Sequence, residues 1–119
     1  MRHPILLTLC AAGVFGLSAC DKSIDADAEQ TFGMVYINAG EQNPPHYHPN
    51  CEEILYVLSG TCEHTYDDQR FQLGPGDSIR VPAGVKHQAI NNGWEPIRAI
   101  ISFSAGDRQT VFLDQENSP

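Results

Sequence analysis

Residues 46–53 read His46-Tyr47-His48-Pro49-Asn50-Cys51-Glu52-Glu53, and this run holds two of the chain's five histidines one position apart. In an extended strand, residues i and i+2 point the same way. His46 and His48 therefore share a face, and Tyr47 takes the other. Pro45 and Pro49 bracket the pair, stiffen it and limit ladder hydrogen bonding there. Alone, an H-x-H pair is a weak signal, because two surface histidines give the same pattern. The residues at fixed distances around it decide the reading.

Gly40, His46, His48, Glu53 and Gly60 fill the pattern G-x5-H-x-H-x4-E-x6-G. Glu52 is the rival acid, but only Glu53 has the six-residue gap to Gly60. Downstream, Gly76, Pro82, Gly84, His87 and Asn91 fill G-x5-P-x-G-x2-H-x3-N. Five fixed residue types of ordinary abundance match by chance on the order of once in a million starting points. Two such matches in order form a specific signal.

The rest of the chain is patterned for strands. Short apolar or alternating runs lie at 33–38, 45–49, 53–58, 61–66, 70–73, 78–82, 87–91, 97–103 and 110–113. Clusters of Gly, Pro, Asn and Asp separate them, among them NAGEQNP, SG, DDQ, GPGD, PAG and NNGWEP. Many short strands at this spacing predict an all-β sandwich or small barrel. Only the first residues carry a helix-compatible apolar run.

The two motifs resemble the signature motifs of the cupin superfamily, and HYHPNCEE is similar to the matching turn of the single-domain germins. The resemblance spans residues 33–113. It implies a single small antiparallel β-barrel of jelly-roll type, with His46, His48, Glu53 and His87 as ligands of one metal ion. The chemistry agrees independently. Three imidazoles and one carboxylate suit a divalent transition metal with positions left for water, substrate or O2. Iron, manganese, nickel, zinc and copper all accept such ligands. The glycines and prolines of the second motif supply the reversals that return His87 to the first. The resemblance further implies a homodimer.

The Ser59-Gly60 pair reads as a two-residue hairpin turn. That register sets Val57 opposite Cys62, Leu55 opposite His64 and Glu53 opposite Tyr66. Cross-strand partners share a face, so Cys62, His64 and Tyr66 are expected to point inward. Tyr66 then becomes a hydrogen-bond partner for Glu53, and His64 lies one layer from the metal. These two are the candidates for supporting or catalytic roles. In the same register, Cys51 and Cys62 lie too far apart along the strand for a disulfide, so both are expected as thiols.

The expected interior comprises Val35, Ile37, Leu55, Val57, Ile79, Val81, Ala99, Ile101 and Phe103. Arg80 and Arg98 alternate out of phase with it. No Lys or Arg is expected to face inward, so the metal supplies most of the electronics. A divalent ion with one carboxylate leaves the site near +1, which favours an anionic small-molecule ligand. This points to a metal-dependent oxidoreductase of the dioxygenase or oxidase kind. A non-catalytic binding or sensing protein and a metal-dependent lyase or isomerase are the alternatives.

The ends read differently from the middle. Residues 1–19 place one Arg before a short apolar run that finishes in small residues, which is the form of an export signal. The ending Leu17-Ser18-Ala19-Cys20 resembles a bacterial lipobox, which implies cleavage before Cys20 and lipid on its sulfur. Residues 20–30 read as an acidic flexible tether, 31–114 as the domain and 115–119 as a frayed tail. The expected location is the cell envelope, lipid-anchored and facing the periplasm, with inner and outer membrane both open. Net charge is −8. That repels nucleic acid and anionic head groups, so membrane attachment is expected only through Cys20.

Overall fold

The structure is a computed structural model that describes residues 27–113, together with the backbone of residues 6–7, 17–20 and 22–23. Its elements are strands: β1 (Leu6–Leu7), β2 (Leu17–Cys20), β3 (Lys22–Ser23), β4 (Thr31–Ile37), β5 (His46–Tyr47), β6 (Glu53–Ser59), β7 (Cys62–Tyr66), β8 (Gln69–Leu73), β9 (Ser78–Val81), β10 (His87–Ile90), β11 (Ile97–Phe103) and β12 (Val111–Phe112). Every predicted strand is present within a few residues of its expected bounds. Most of the expected export signal, and all of the expected tail, lie outside the described residues. Leu6–Leu7 is extended inside that signal, and the extended Leu17–Cys20 runs across its expected end.

Two five-stranded antiparallel sheets form a jelly roll, in the orders β2-β4-β11-β6-β9 and β12-β5-β10-β7-β8. From β4 to β12 the chain changes sheet at nearly every connection. Among the described residues, only β7 and β8 are sequence neighbours that pair as a hairpin, through the two-residue turn Asp67-Asp68 between the partners Tyr66 and Gln69. Asp67 takes the positive φ, 50°, that such a turn requires.

The expected hairpin at Ser59-Gly60 is not formed. β6 pairs with β11 on one side and β9 on the other, so it has no edge left for β7. Ser59-Gly60 is instead a corner at which the chain crosses to the opposite sheet. Gly60 is required there twice over. Its φ is +83°, and a Cβ on it would lie 2.5 Å from the Pro96 carbonyl oxygen.

The inward set nevertheless survives, because the period of two is a property of each strand alone. Ile37, Val57 and Ala99 are fully buried, and Val35, Leu55, Val81, Ile101 and Phe103 nearly so. Ile79 packs half-buried against them. Each fully buried aliphatic side chain contributes about 1.5–3 kcal/mol relative to exposure. Arg80 and Arg98 face outward, as expected. Cys51 and Cys62 are both buried and neither forms a disulfide. Burial pushes the Cys62 thiol up to about 11.

The two motifs clasp each other through backbone and one amide. Gly40 N donates to the Asn91 carbonyl at 3.0 Å, and Asn91 N returns a bond to the Glu41 carbonyl at 2.9 Å. The buried Asn91 side chain donates to the carbonyls of Ile37 and Glu95, both at 2.9 Å. Gly84 N donates to the His48 carbonyl at 2.9 Å, which ties the PAG turn to the histidine strand.

Candidate metal centre

The four expected donors meet in the interior. His46 and His48 come from β5 and the residue after it, Glu53 opens β6 in the other sheet, and His87 opens β10 directly across from His46. One donor atom from each lies within 4.8 Å of all the others, and all four residues are buried. The three imidazole centroids stand 4.3–5.1 Å apart. Donors bound to one transition metal at ordinary bond lengths sit about 3–4 Å from each other, so these four residues would be close enough to hold one ion.

Hydrogen bonds fix which nitrogen each ring offers. His46 Nδ1 meets the Pro44 carbonyl at 2.7 Å, His48 Nδ1 the Gln109 carbonyl at 2.8 Å, and His87 Nδ1 the Val85 carbonyl at 2.9 Å. A carbonyl only accepts, so each Nδ1 carries its proton and Nε2 is the nitrogen each ring turns inward. Glu53 Oε2 then lies 3.2 Å from His48 Nε2 and 2.9 Å from His87 Nε2. At these distances the two imidazoles hydrogen-bond the carboxylate through Nε2, the positions a bound cation would take over. The N3O donor set fits a single divalent transition metal.

The electrostatics point the same way. Burial resists charge on Glu53, but hydrogen bonds from His48 and His87, and their charges, hold its carboxyl far below the usual range. Burial also opposes charge on His87, yet the Glu53 hydrogen bond and charge win and raise it. His46 is pulled down to about 3 by burial and by His87. A carboxylate is thus kept ionised in an apolar interior for the imidazole cluster to face.

The two supporting candidates separate. His64 is buried, and its ring stacks on His87 with centroids 5.6 Å apart and planes 11° apart. Its Nδ1 donates to the Thr65 carbonyl at 2.9 Å, and burial holds it neutral, with a pKa down to about 4. Tyr66 does not pair with Glu53. It belongs to the other sheet, opposite His87 and Gln69, and its ring stands edge-on to Phe71. The corner at Gly60 is the cause, because it removes the register that would have joined them.

Sequence reasoning missed the segment after β11. Residues 104–110 fold back over the site. Gln109 supplies the carbonyl for His48, and its own N–H donates to Asn50 Oδ1 at 2.9 Å. Asn50 Nδ2 donates to the Asp107 carbonyl at 3.0 Å, and Thr110 Oγ1 lies 3.2 Å from His48 Nδ1. Arg108 stacks its guanidinium over Phe103, 4.6 Å from the ring centroid. Asn43 Oδ1 accepts the Ala89 N–H at 2.8 Å beside the β5–β10 pair. Gln109 acts through main chain that every residue type possesses, so no spacing betrays it.

Residues 33–103 match the Cupin domain family (Cupin_2). The chain is a cupin. Among curated proteins it is similar to germin-like protein 5-1 of Oryza sativa subsp. japonica, with 34% identity over 110 residues that cover 83% of this chain and 47% of that protein. Among solved structures, this cupin resembles an oxalate oxidase at TM-score 0.78 and 19% identity, covering 91% of this chain and 60% of that one. It also resembles a single-site variant of Bacillus subtilis oxalate decarboxylase at TM-score 0.75 and 24% identity, covering 87% and 29%. The chain spans between a third and about half of the length of the first curated relatives it matches.

Proposed function

We propose that this cupin is a metal-dependent oxidoreductase of the dioxygenase or oxidase type, acting on a small anionic organic substrate. His46, His48, Glu53 and His87 are the metal ligands in this reading. The observation that carries it is the convergence of three imidazoles and one ionised, buried carboxylate, with each Nδ1 committed to a main-chain carbonyl. Such a set holds a divalent ion, which supplies Lewis acidity and, where redox-active, a route for electrons to O2. The chain's own residues orient the imidazoles, and the apolar walls from Val35, Leu55, Ile101 and Phe103 exclude water. A ligand set of one carboxylate leaves the centre positive, which favours a carboxylate or enolate. The oxalate oxidase fold neighbour is consistent with that substrate class.

The decarboxylase neighbour favours a second reading, a metal-dependent lyase on the same kind of acid. One experiment separates the two. The mature protein is purified from the periplasmic face, its metal is identified by elemental analysis, and O2 uptake is followed with a panel of small mono- and dicarboxylic acids. The oxidoreductase reading expects stoichiometric metal and O2 consumption, both lost in His46→Ala. Product without O2 consumption transfers the assignment to the lyase. Saturable binding without product makes the chain a binding or sensing protein.

The reading includes an envelope location through lipid on Cys20 and a homodimer. The outer face of the first sheet supports the dimer. Phe32, Tyr36, Ile54, Tyr56 and Leu58 are exposed there, on β4 and β6. Cys20→Ser is expected to move the protein from the membrane fraction to the soluble one, and sedimentation of the released form reads the oligomeric state.

A further inference from the structure

We infer that His64 is a positioning residue that fixes the ring plane of His87, and with it the orientation of one of the three imidazoles offered to the metal. This role rests on the metal-binding reading above, and it falls to a buried histidine outside the set of four donors. Each ligand imidazole has a main-chain carbonyl at Nδ1. Each also has one ring from outside the donor set beside it. Phe112 stands 6.0 Å from His46 at 50°, and Phe103 stands 5.0 Å from His48 at 73°. Beside His87 the ring is His64, 5.6 Å away and 11° from parallel. Among the described residues, the other ring pairs are all tilted by 50° or more. Strand register produces this one parallel contact. β10 pairs with β7 so that His87 lies opposite Tyr66 and Ala89 opposite His64. His64 and His87 are therefore diagonal neighbours on the inner face, a spacing that ring side chains bridge.

An imidazole held by a carbonyl at Nδ1 and by an ion at Nε2 is fixed at two points of its own plane. It can still swing about the line that joins them. A contact on its flat side opposes that swing, provided the contacting ring does not itself turn. Rotation of a ring about its Cβ–Cγ bond is soft unless something holds it. His64 is held, because its Nδ1 donates to the Thr65 carbonyl at 2.9 Å. Phe103 and Phe112 have no donor with which to do the same. This difference explains why a histidine stands at 64. The residue is 1% exposed, and a polar ring in such a place costs more than an apolar one unless it is hydrogen-bonded. The Thr65 carbonyl offsets part of that cost and locks the ring at the same time. Parallel, offset rings at this separation also attract one another. His87 is thus the ligand whose plane is set by a locked neighbour, while His46 and His48 meet phenyl rings at an angle.

Ring orientation can be read ligand by ligand. The full chain is loaded with Co(II), and its paramagnetic proton NMR spectrum is recorded in H2O and in D2O. Three strongly shifted, exchangeable signals are expected, one for each Nδ1–H that a carbonyl holds. The His87 signal is identified by its Overhauser effect to Val85. His64→Leu and His64→Met both fill the space without a flat ring, so the test does not depend on one variant folding. In both, the His87 signal should shift and broaden while the other two hold, and Co(II) release to a chelator should speed up about tenfold. His64→Phe restores a flat face and should return most of both effects. An unmoved His87 signal with unchanged release in Leu and Met overturns the inference and leaves the metal-binding reading intact. Equal movement of all three signals also overturns it, because His64 would then be a filler of the core. A Phe variant that behaves like Leu overturns it as well. Wild-type protein that takes up no Co(II) sinks the metal-binding reading and the inference together.

Discussion

The two ends of the sandwich draw on the same pair of motifs and use them differently. At one end His46, His48, Glu53 and His87 are present for what their side chains donate. At the other, Gly40, Gly60 and Asn91 are present for what the backbone must do. Gly40 and Gly60 adopt positive φ, and Asn91 bonds carbonyls that would otherwise be buried without donors. Asn91 lies four residues beyond His87, about 13 Å along an extended chain. The contrast teaches that a motif match mixes two kinds of constraint. Substitution should separate them: the first end governs binding, the second governs folding.

The largest effect expected is at the donor end. Glu53→Gln removes the carboxylate and its charge, and should weaken divalent metal binding more than about 100-fold, since even indirect partners of metal ligands contribute 10–100-fold. Titration calorimetry with Zn(II) or Mn(II) measures it. A loss below tenfold would break the proposed assignment of Glu53. At the far end, Asn91→Ala strands the Ile37 and Glu95 carbonyls and the Gly93 N–H. Its expected cost is about 3 kcal/mol of stability, read from denaturant midpoints, with metal affinity of the folded protein unchanged.

A pH experiment crosses the two ends. His64 and His46 are held neutral in the fold, at about 4 and about 3 against an ordinary 6.5. Between those values the unfolded chain binds more protons than the folded one, so stability falls as pH falls. In metal-free protein His64 and His46 should each contribute a loss of about 1.6 kcal/mol between pH 6.5 and pH 5. His64→Phe should flatten the part of that slope due to His64. An unchanged slope in that variant would show that His64 titrates normally. Gly60→Ala follows at about 1–3 kcal/mol, since it combines positive φ with a close approach to the Pro96 carbonyl. The smallest effect is Thr110→Val, a few-fold in metal affinity at most, because Gln109 still accepts from His48 Nδ1.

Much of this was legible in the chain itself. The period of two placed the interior residues correctly, because alternation needs no knowledge of strand partners. The fixed spacings brought out the four donors, because donor type and distance along the chain are both written in the residues. Partnering was not legible. Ser59-Gly60 carries good hairpin chemistry, yet β6 is already flanked by β9 and β11. Whether a turn closes a hairpin or a corner depends on which edges distant strands have occupied. Tyr66 was misplaced for that reason, whereas His64 kept its inward aim through parity alone. Gln109 escaped notice because its segment lacks strand periodicity, and only tertiary contacts bring its carbonyl to His48.

The carbonyls of Pro44, Gln109 and Val85 carry a consequence for how such a centre changes over time. All three acceptors that set the imidazole tautomers belong to the main chain. Exchanging the residue that owns a carbonyl leaves the carbonyl in place, so random mutation has few single steps by which to reorient the rings. Drift can rewrite the walls and the rim, and with them the choice of ligand, long before it disturbs the grip on the ion.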